Sequence, residues 1–346
     1  MLIAQKRKQT NGVEDKVKLI FTIGDCNGIG LEVLVKGIMQ LDKDRKEFQN
    51  IDFCISGHNK TIEEYMENFN FPVSVTDDKL IIKNRICPII NCEHYSKVEF
   101  GQETISAGKL AGEAIESAVK MTLEGHFDGI VTMPISKAVV YKAGWKFPGH
   151  TEMLANACGV EKPLMILCTD KVRVGLATIH VPIQKVPQLI TFELLTEIIE
   201  KFAHSLNFDF GIKAPKIAIL GLNPHAGENG GLGSEEIEVI EPALSFLKSK
   251  NIEVFGPFPA DGFFAHGEYK NFDGILAMYH DQGLIPLKML ADGAGINYSA
   301  GLPIVRTSPD HGTAFNIAGK NCADSKSMIN ATILNYKIIH NRLLNE

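Results

Sequence analysis

The sequence lacks the features that mark several classes of protein. Its 346 residues include 35 Lys and Arg but 41 Asp and Glu, for a formal charge of −6, so the basic surface typical of a nucleic-acid-binding protein is not expected. No apolar run approaches the roughly 18 residues that span a bilayer. The first residues, MLIAQKRKQTNGVEDK, carry charges where a signal peptide needs an apolar segment. We interpret residues 1–16 as a solvated N-terminal tail.

Cysteine pairs at metal-binding or redox spacing are also missing. The seven cysteines are scattered, odd in number and without a C-x-x-C pair. This argues against a disulfide framework or a zinc ribbon and favours a reducing cytoplasm. With 45% hydrophobic and 22% charged residues, the composition is that of a globular protein, and the length predicts about two domains at roughly 150 residues each.

Short apolar runs that alternate with longer amphipathic stretches are the main pattern along the chain. We predict strands at residues 18–24, 51–57, 128–133, 172–179, 216–222 and 273–279, and helices at 31–41, 107–125, 192–206 and 235–250. This alternation predicts an α/β fold with a largely parallel, doubly wound sheet. Nearly continuous apolar strands such as IAILGL agree, because parallel strands are covered on both faces.

Three of the predicted strands are followed closely by a histidine, namely His180, His225 or His280. Ligands in α/β proteins bind beyond the carboxyl ends of the strands, and three neutral imidazoles form an open site for a divalent metal. Each histidine taken singly is equally well a loop residue satisfied by hydrogen bonds. His58 also follows a strand, yet no polar motif supports a site there.

The glycine loop Gly24–Gly30 joins the first strand to the first helix. It lacks the GK[ST] of a phosphate-binding P-loop, and Val33 stands where the third glycine of G-x-G-x-x-G would be. We interpret it as a tight turn, so a nicotinamide cofactor is not expected to be held by the Rossmann fingerprint.

Several segments suit an anion, although each has a simpler interpretation. His150 and Thr151 begin a predicted helix and either bind an anion or cap that helix, with Thr151 as N-cap and Glu152 in the first turn. The segment HAGENGGLGSEE is either a loop that closes on a ligand or a solvated turn. Lys288 and Arg306 are surface cations by default, yet a phosphorylated substrate needs such groups.

The motifs together resemble one family. Eight follow one another along the chain: GDCNGIGLE, VTMPISK, FPGHTE, TIHVP, LNPHAGE, PADGFF, YHDQGLIPLK and GINYSAGLPIVRTSPDHGTAF. In this order they resemble the 4-hydroxythreonine-4-phosphate dehydrogenases of vitamin B6 biosynthesis, from about residue 18 to the C-terminus. Departures from the family pattern fall in the first motif, at Cys26, Asn27 and Leu31, and in PADGFF.

The resemblance implies a fold. The family has two α/β/α domains related to the isocitrate and isopropylmalate dehydrogenases, which also lack the Rossmann fingerprint. Applied here, this gives a discontinuous first domain (17–145 plus 300–346) and a second domain (146–299) with most metal ligands.

The resemblance also implies a reaction and its residues. The family oxidises 4-phosphooxy-L-threonine at C3 with NAD (or NADP) and decarboxylates the product to 3-amino-2-oxopropyl phosphate. One divalent ion per subunit (Zn, Mg or Co) would be bound by His180, His225 and His280. The family's homodimers share this site between subunits, and we expect His280 to reach the neighbour's ion. The substrate contacts would be His150, Thr151, Lys288, Asn297 and Arg306.

Two questions remain open at the level of sequence. Asp281 and Asp261 are candidates for the residue that accepts the hydroxyl proton, or they orient a metal-binding imidazole. The alternatives for function are a related dehydrogenase of 4-phosphorylated threonate or erythronate, and a non-catalytic protein that binds a metal and a phosphate ester.

Overall fold

A computed structural model describes residues 16–44, 46–147 and 149–345 of the chain. The tail expected at 1–16 therefore lies outside the described residues except for Lys16, as does Pro148 of the FPGHTE motif. No helix in the described part of the chain is long and apolar enough to cross a membrane. All seven cysteines are described, and none forms a disulfide.

The described residues form thirteen strands, which we number in chain order. They are β1 (Val17–Thr22), β2 (Ile51–Gly57), β3 (Val73–Thr76), β4 (Lys79–Ile82), β5 (Arg85–Asn91), β6 (Gly129–Val131), β7 (Leu164–Cys168), β8 (Arg173–Leu176), β9 (Ile217–Leu220), β10 (Val254–Phe258), β11 (Gly274–Ala277), β12 (Ile296–Ala300) and β13 (Val305–Pro309).

The α-helices of the described residues are numbered in the same way. They are α1 (Gly30–Asp44), α2 (Asn59–Glu67), α3 (Ile105–Leu123), α4 (Lys137–Lys142), α5 (His150–Ala157), α6 (Val186–Leu189), α7 (Phe192–Phe208), α8 (Glu241–Ser249), α9 (Ala260–Ala265), α10 (His280–Ala291) and α11 (Lys326–Asn345).

The chain divides into two compact units. The described part of unit 1 is residues 16–163 and 302–344, and unit 2 consists of Leu164–Gly301 and Asn345. The second unit therefore begins at 164 and not at the expected 146. The reason is that α5 packs Met153, Leu154 and Ala155 into one apolar cluster with residues of α3, so residues 146–163 stay with unit 1.

The strands of unit 1 lie in the order β13-β6-β1-β2-β5-β4-β3. The neighbours from β13 to β5 are parallel, whereas β5, β4 and β3 form an antiparallel meander. Helix α3 packs on β1, β2 and β6. The predicted parallel sheet is thus confirmed, with an antiparallel edge that the sequence pattern did not indicate.

The strands of unit 2 lie in the order β10-β9-β11-β8-β7-β12. The first four are mutually parallel, and β7 runs antiparallel to both β8 and β12. All four residues of β9 and of β11 are buried, as expected for parallel strands covered on both faces. The carboxyl ends of β8, β11 and β9 therefore lie side by side at one edge.

Candidate functional site

His180 and His280 lie next to each other beyond the ends of two neighbouring strands. The β8–β11 pairing continues past the strands, because the Thr178 hydroxyl donates to the Met278 carbonyl over 2.7 Å and the Ala177 amide donates to the Ala277 carbonyl. The imidazole centroids of His180 and His280 are 6.0 Å apart. Two of the three predicted metal ligands are thus brought together within one chain.

Asp281 contacts the second of these imidazoles. His280 is the first residue of α10, and its Nδ1 lies 2.7 Å from Oδ1 of Asp281. When Nδ1 carries the proton and donates it to this carboxylate, Nε2 keeps a lone pair for a metal ion or a proton. This contact supports the orienting role for Asp281. Asp261 lies exposed in the first turn of α9.

Gln282 is a functional candidate that the sequence analysis missed. Its side-chain oxygen accepts from the Met278 amide over 2.7 Å, and its Nε2 donates to the Gly221 carbonyl over 2.6 Å. It therefore connects the end of β11, which leads to His280, to the end of β9, which leads to His225. Its place directly after His280-Asp281 in the YHDQG motif was the available signal.

His225 lies in an unusual turn. From His225 through Asn229, five consecutive residues have φ between 45° and 81°, and each non-glycine residue in this region costs about 1–2 kcal/mol. Such strain persists only where the surroundings hold it, and it clusters at functional sites.

The buried carboxylate of Glu236 anchors this turn. Its Oε1 accepts from the amides of Leu222 and Asn223 over 2.7 and 2.8 Å, and its Oε2 accepts from the Asn223 side chain over 2.9 Å. Glu236 is 1% exposed. The segment HAGENGGLGSEE is therefore held in place by its last residue, Glu236, and is more than a solvated turn.

The third histidine does not join the pair. In the described part of the chain, no three His, Cys, Asp or Glu side chains are grouped as a metal site. The donor set itself fits a divalent ion, since His180 and His280 are adjacent and Asp281 fixes one imidazole. Within one chain, two of the three implied imidazole donors are adjacent, and the described residues do not group His225 with them.

A second cluster, which we call the anion cluster, lies in unit 1 and contains Arg306, His150 and Thr151. Arg306 on β13 is 1% exposed, and its Nε and Nη2 donate to Oγ1 of Thr132 over 3.1 and 2.7 Å. Burial lowers the pKa of Arg306 to about 9, and the Glu152 carboxylate opposes this shift. The guanidinium therefore remains positively charged at neutral pH.

His150 is neutral in this cluster. Burial, followed by the charges of Arg306 and Lys137, holds its pKa well below the usual 6.5, against a hydrogen bond to the Met133 backbone. Its Nε2 is shielded from solvent and has no hydrogen-bond partner. An inaccessible ring nitrogen beside a buried guanidinium suits a bound anion, which would both accept from Arg306 and favour a proton on Nε2.

The start of α5 differs by one residue from the prediction. The helix begins at His150, and Gly149, not Thr151, is its N-cap. Thr151 is buried in the first turn beside His150. The two remaining predicted substrate contacts are in unit 2, where Lys288 is exposed on α10 and Asn297 on β12 has a buried Oδ1 without a hydrogen-bond partner.

The glycine loop Gly24–Gly30 is a packed turn, as predicted. All of its residues are buried, the Asp25 amide donates to the Pro134 carbonyl and the Ile29 amide to the Thr313 carbonyl. A β-carbon on Gly28 would lie 2.7 Å from the Thr313 oxygen. The loop's amides are therefore engaged by protein, and the loop is not a cradle for phosphate.

An acidic pair formed by the buried Asp25 of this loop and the exposed Glu103 was not predicted. Asp25 is 1% exposed, its Oδ2 has no hydrogen-bond partner, and burial raises its pKa to about 6, with a contribution from Glu103. The Ser136 hydroxyl donates to Glu103 over 2.7 Å. The aspartate of the GDCNGIG motif was the available signal.

The chain is similar to known proteins along most of its length. Residues 49–335 match the family model described as "Pyridoxal phosphate biosynthetic protein PdxA". A 4-hydroxythreonine-4-phosphate dehydrogenase of Bacteroides thetaiotaomicron is 41% identical over 95% of this chain and 90% of its own length. One from Sulfurihydrogenibium is 41% identical over 92% of this chain and 97% of its own length.

A solved structure also matches nearly end to end. The crystal structure of a 4-hydroxythreonine-4-phosphate dehydrogenase from Burkholderia phymatum has a TM-score of 0.74 and 35% identity, and the match covers 94% of this chain and 98% of that one. On these grounds the chain belongs to the PdxA family of pyridoxal phosphate biosynthetic proteins.

Proposed function

We propose that this protein is a metal-dependent dehydrogenase that oxidises 4-phosphooxy-L-threonine at C3 with NAD or NADP. The resulting β-keto acid loses CO2, which gives 3-amino-2-oxopropyl phosphate in the cytoplasm. The observation that carries the proposal is the pair of adjacent imidazoles, His180 and His280, beyond the ends of β8 and β11. The names of the relatives support the choice of substrate.

The proposed metal ligands are His180, His225 and His280. A divalent ion bound there (zinc, magnesium or cobalt) would act as a Lewis acid that acidifies the C3 hydroxyl and stabilises negative charge on the same oxygen during decarboxylation. Asp281 would orient the His280 imidazole through the contact at Nδ1. Asp261, exposed on α9, is the remaining candidate for the group that accepts the hydroxyl proton.

The anion cluster is the proposed site for the phosphate group. Arg306 would donate to phosphate oxygens, with Thr151 and His150 as neighbouring donors from the start of α5. Lys288 and Asn297 would make further contacts with the substrate. The Oδ1 of Asn297, which has no hydrogen-bond partner, could accept a hydrogen bond from the ammonium group of the substrate. Fixing the anionic groups in this way would convert binding energy into orientation of C3.

We further propose a homodimer in which the metal site is shared. In this dimer, His280 of each subunit would complete the ion site of its neighbour, since the described residues of one chain group no three such ligands. Helix α10, which begins at His280, exposes Ile285 and Met289 to 60% and 81%. These apolar side chains are four residues apart and share one helix face, which suits burial against the same face of a second copy.

The decisive experiment supplies 4-phosphooxy-L-threonine, NAD and a divalent ion and measures NADH absorbance together with the product mass. We expect NADH and 3-amino-2-oxopropyl phosphate in equal amounts, and chelation of the ion should stop both. Faster turnover of 4-phosphoerythronate would show the related dehydrogenase. Binding of metal and phosphate ester without NADH would show a non-catalytic binding protein.

A further inference from the structure

An exposed lysine lies beside the anion cluster. Lys137 is the first residue of α4, and its Nζ is 3.7 Å from the position that a β-carbon on Gly149 would occupy. Gly149 immediately precedes His150, and the charge of Lys137 acts on the His150 imidazole. Among the described residues, the Lys137 ammonium has no hydrogen-bond or ion-pair partner.

The charges around the cluster are too few for a phosphate ester unless Lys137 takes part. A phosphate monoester carries a charge of about −1.5 to −2 at neutral pH. Arg306 supplies one positive charge, the carboxylate of Glu152 acts on it from α5, and His150 is neutral in the free protein. Without Lys137 these groups sum to zero, and with it they sum to one positive charge.

Hydrogen bonds hold the chain segment that leads to Lys137, whereas the Lys137 ammonium itself makes none among the described residues. Ser136, the N-cap of α4, donates its hydroxyl to Glu103 over 2.7 Å, and two residues earlier the Pro134 carbonyl accepts from the Asp25 amide over 2.9 Å. The start of α4 is therefore anchored from two sides. An unpaired ammonium on an anchored backbone can turn onto an anion without breaking an existing contact.

We propose that Lys137 is a further residue of the anion site, where its ammonium supplies the second positive charge to a phosphate group held by Arg306 and His150. The inference rests on the proposed function in one respect, namely that the ligand is a phosphate ester. It assigns to this lysine the selection of doubly charged phosphate over singly charged anions, because a single guanidinium faced by a carboxylate discriminates weakly between them.

The test is a titration of the metal-loaded protein with inorganic phosphate, followed by calorimetry or by 31P NMR. In Lys137→Gln we expect the affinity to fall about tenfold or more, the loss expected for one charge-assisted hydrogen bond. Lys137→Arg should recover most of the affinity because it restores the charge. Lys142→Gln is the matched control, since Lys142 is an exposed lysine of the same helix, and it should bind phosphate like the parent.

Turnover gives an independent readout. In Lys137→Gln, KM for 4-phosphooxy-L-threonine should rise by the same factor while kcat changes much less, because the phosphate is remote from the reacting carbon. If the parent binds phosphate and Lys137→Gln does not, but neither oxidises the ester, the proposed function fails and the assignment of Lys137 stands.

Two results would overturn the assignment of Lys137. One is phosphate affinity of Lys137→Gln within about twofold of an active parent. The other is an equal loss in Lys142→Gln, which would show only the effect of net charge.

Discussion

Burial perturbs two ionisable groups of unit 1 in opposite directions. It raises the pKa of Asp25 to about 6 and lowers that of Arg306 to about 9, because removal from water disfavours the charged form of either sign. Burying each of these groups costs stability when the group is charged. Ionisable groups with perturbed pKa values occur preferentially at functional sites. The backbone amide of Asp25 donates to the Pro134 carbonyl in the segment that leads to Lys137, and Arg306 belongs to the anion cluster.

Asp25→Asn should change how stability depends on pH. The folded pKa of about 6 lies above the ordinary 3.8, so the folded protein holds this proton more tightly than the unfolded chain. The parent therefore loses stability as the pH rises from about 4 through about 6, and the loss is complete above that range. The shift corresponds to about 3 kcal/mol.

The measurement is the free energy of urea unfolding of parent and Asp25→Asn at several pH values between 4 and 8. The difference between them should move in favour of the variant as the pH rises, and any pH-independent cost of the amide cancels in this comparison. Asp170→Asn, which removes an exposed carboxylate, controls for the loss of one charge. A difference that stays constant over this range would contradict the burial of an ionisable Asp25.

Single residues were predictable where a motif marked them and less so where only packing does. His180, His280 and Arg306 stand out in the sequence because each follows or lies in an apolar strand. Asp25, Glu236 and Gln282 act through hydrogen bonds to backbone groups that lie 2, 13 to 14 and 61 residues away in sequence. The partner of Gln282 becomes its neighbour only when parallel strands align their carboxyl ends, and no local pattern marks the side chains of Asp25 and Glu236 as buried.

The left-handed turn after β9 is the most strained element near the candidate metal ligands. Gly227 has φ of 81°, and a β-carbon there would lie 2.7 Å from Oε2 of Glu236. Gly230 has φ of 89°, and a β-carbon there would meet only Cδ1 of Ile237, at 3.4 Å. The two glycines therefore share the backbone cost of an added side chain but differ in what that side chain meets.

Gly227→Ala should consequently be the more harmful of the two substitutions. Each alanine costs about 1 kcal/mol or more at positive φ, and at 227 the methyl group also displaces the carboxylate that holds Leu222 and Asn223. We expect a lower thermal midpoint and weaker binding of the divalent ion in Gly227→Ala than in Gly230→Ala. Equal losses in the two variants would show that Glu236 does not control the turn.

At the level of elements, the apolar runs located the buried strands well. The strand predicted at 51–57 coincides with β2. The helix predicted at 192–206 matches α7, which extends two residues further, to Phe208. The helix predicted at 235–250 instead begins with a π-helical turn at Glu236–Ile240. A polar glutamate in an amphipathic pattern reads as solvent-facing, whereas here its carboxylate is buried as the anchor of the preceding turn.

The meander of β3, β4 and β5 was missed for a related reason. In β3, residues alternate between half-buried and exposed, so no continuous apolar run marks the strand. Asp77 and Asp78 turn the chain between β3 and β4 with φ of 45° and 56°. An Asp-Asp pair is a weaker turn signal than Asn-Gly or Asp-Gly, and the hairpin becomes clear only from its pairing with β5.

On the scale of the whole molecule, the described chain leaves unit 1 and later returns to it, and no local sequence pattern indicates such a return. Residues 302–344 return to unit 1, and β13 pairs with β6 more than 170 residues earlier in the chain. The composition of the metal site is also a question about the whole assembly. His180 and His280 are adjacent in one chain, yet the shared-site proposal assigns them to different subunits of a dimer.

Mixing of variant subunits separates these two arrangements. His180→Ala and His280→Ala should each lose bound metal and activity, and His266→Ala, which removes an exposed histidine of the same unit, should lose neither. If the two histidines of one site come from different subunits, a heterodimer of the two inactive variants contains one intact site. Random exchange makes half of the dimers mixed, so activity should return to about a quarter of the parent value.

The remaining mixtures assign His225. His225→Ala should complement whichever variant removes a ligand supplied by the opposite subunit, and it should fail to complement the variant of a ligand supplied by its own. A mixture of His180→Ala with His180→Gln cannot form an intact site and sets the background. If subunit exchange is verified by mass spectrometry and no mixture recovers activity, all the ligands come from one chain. The exposure of Ile285 and Met289 on α10 would then have to be explained by something other than a shared metal site.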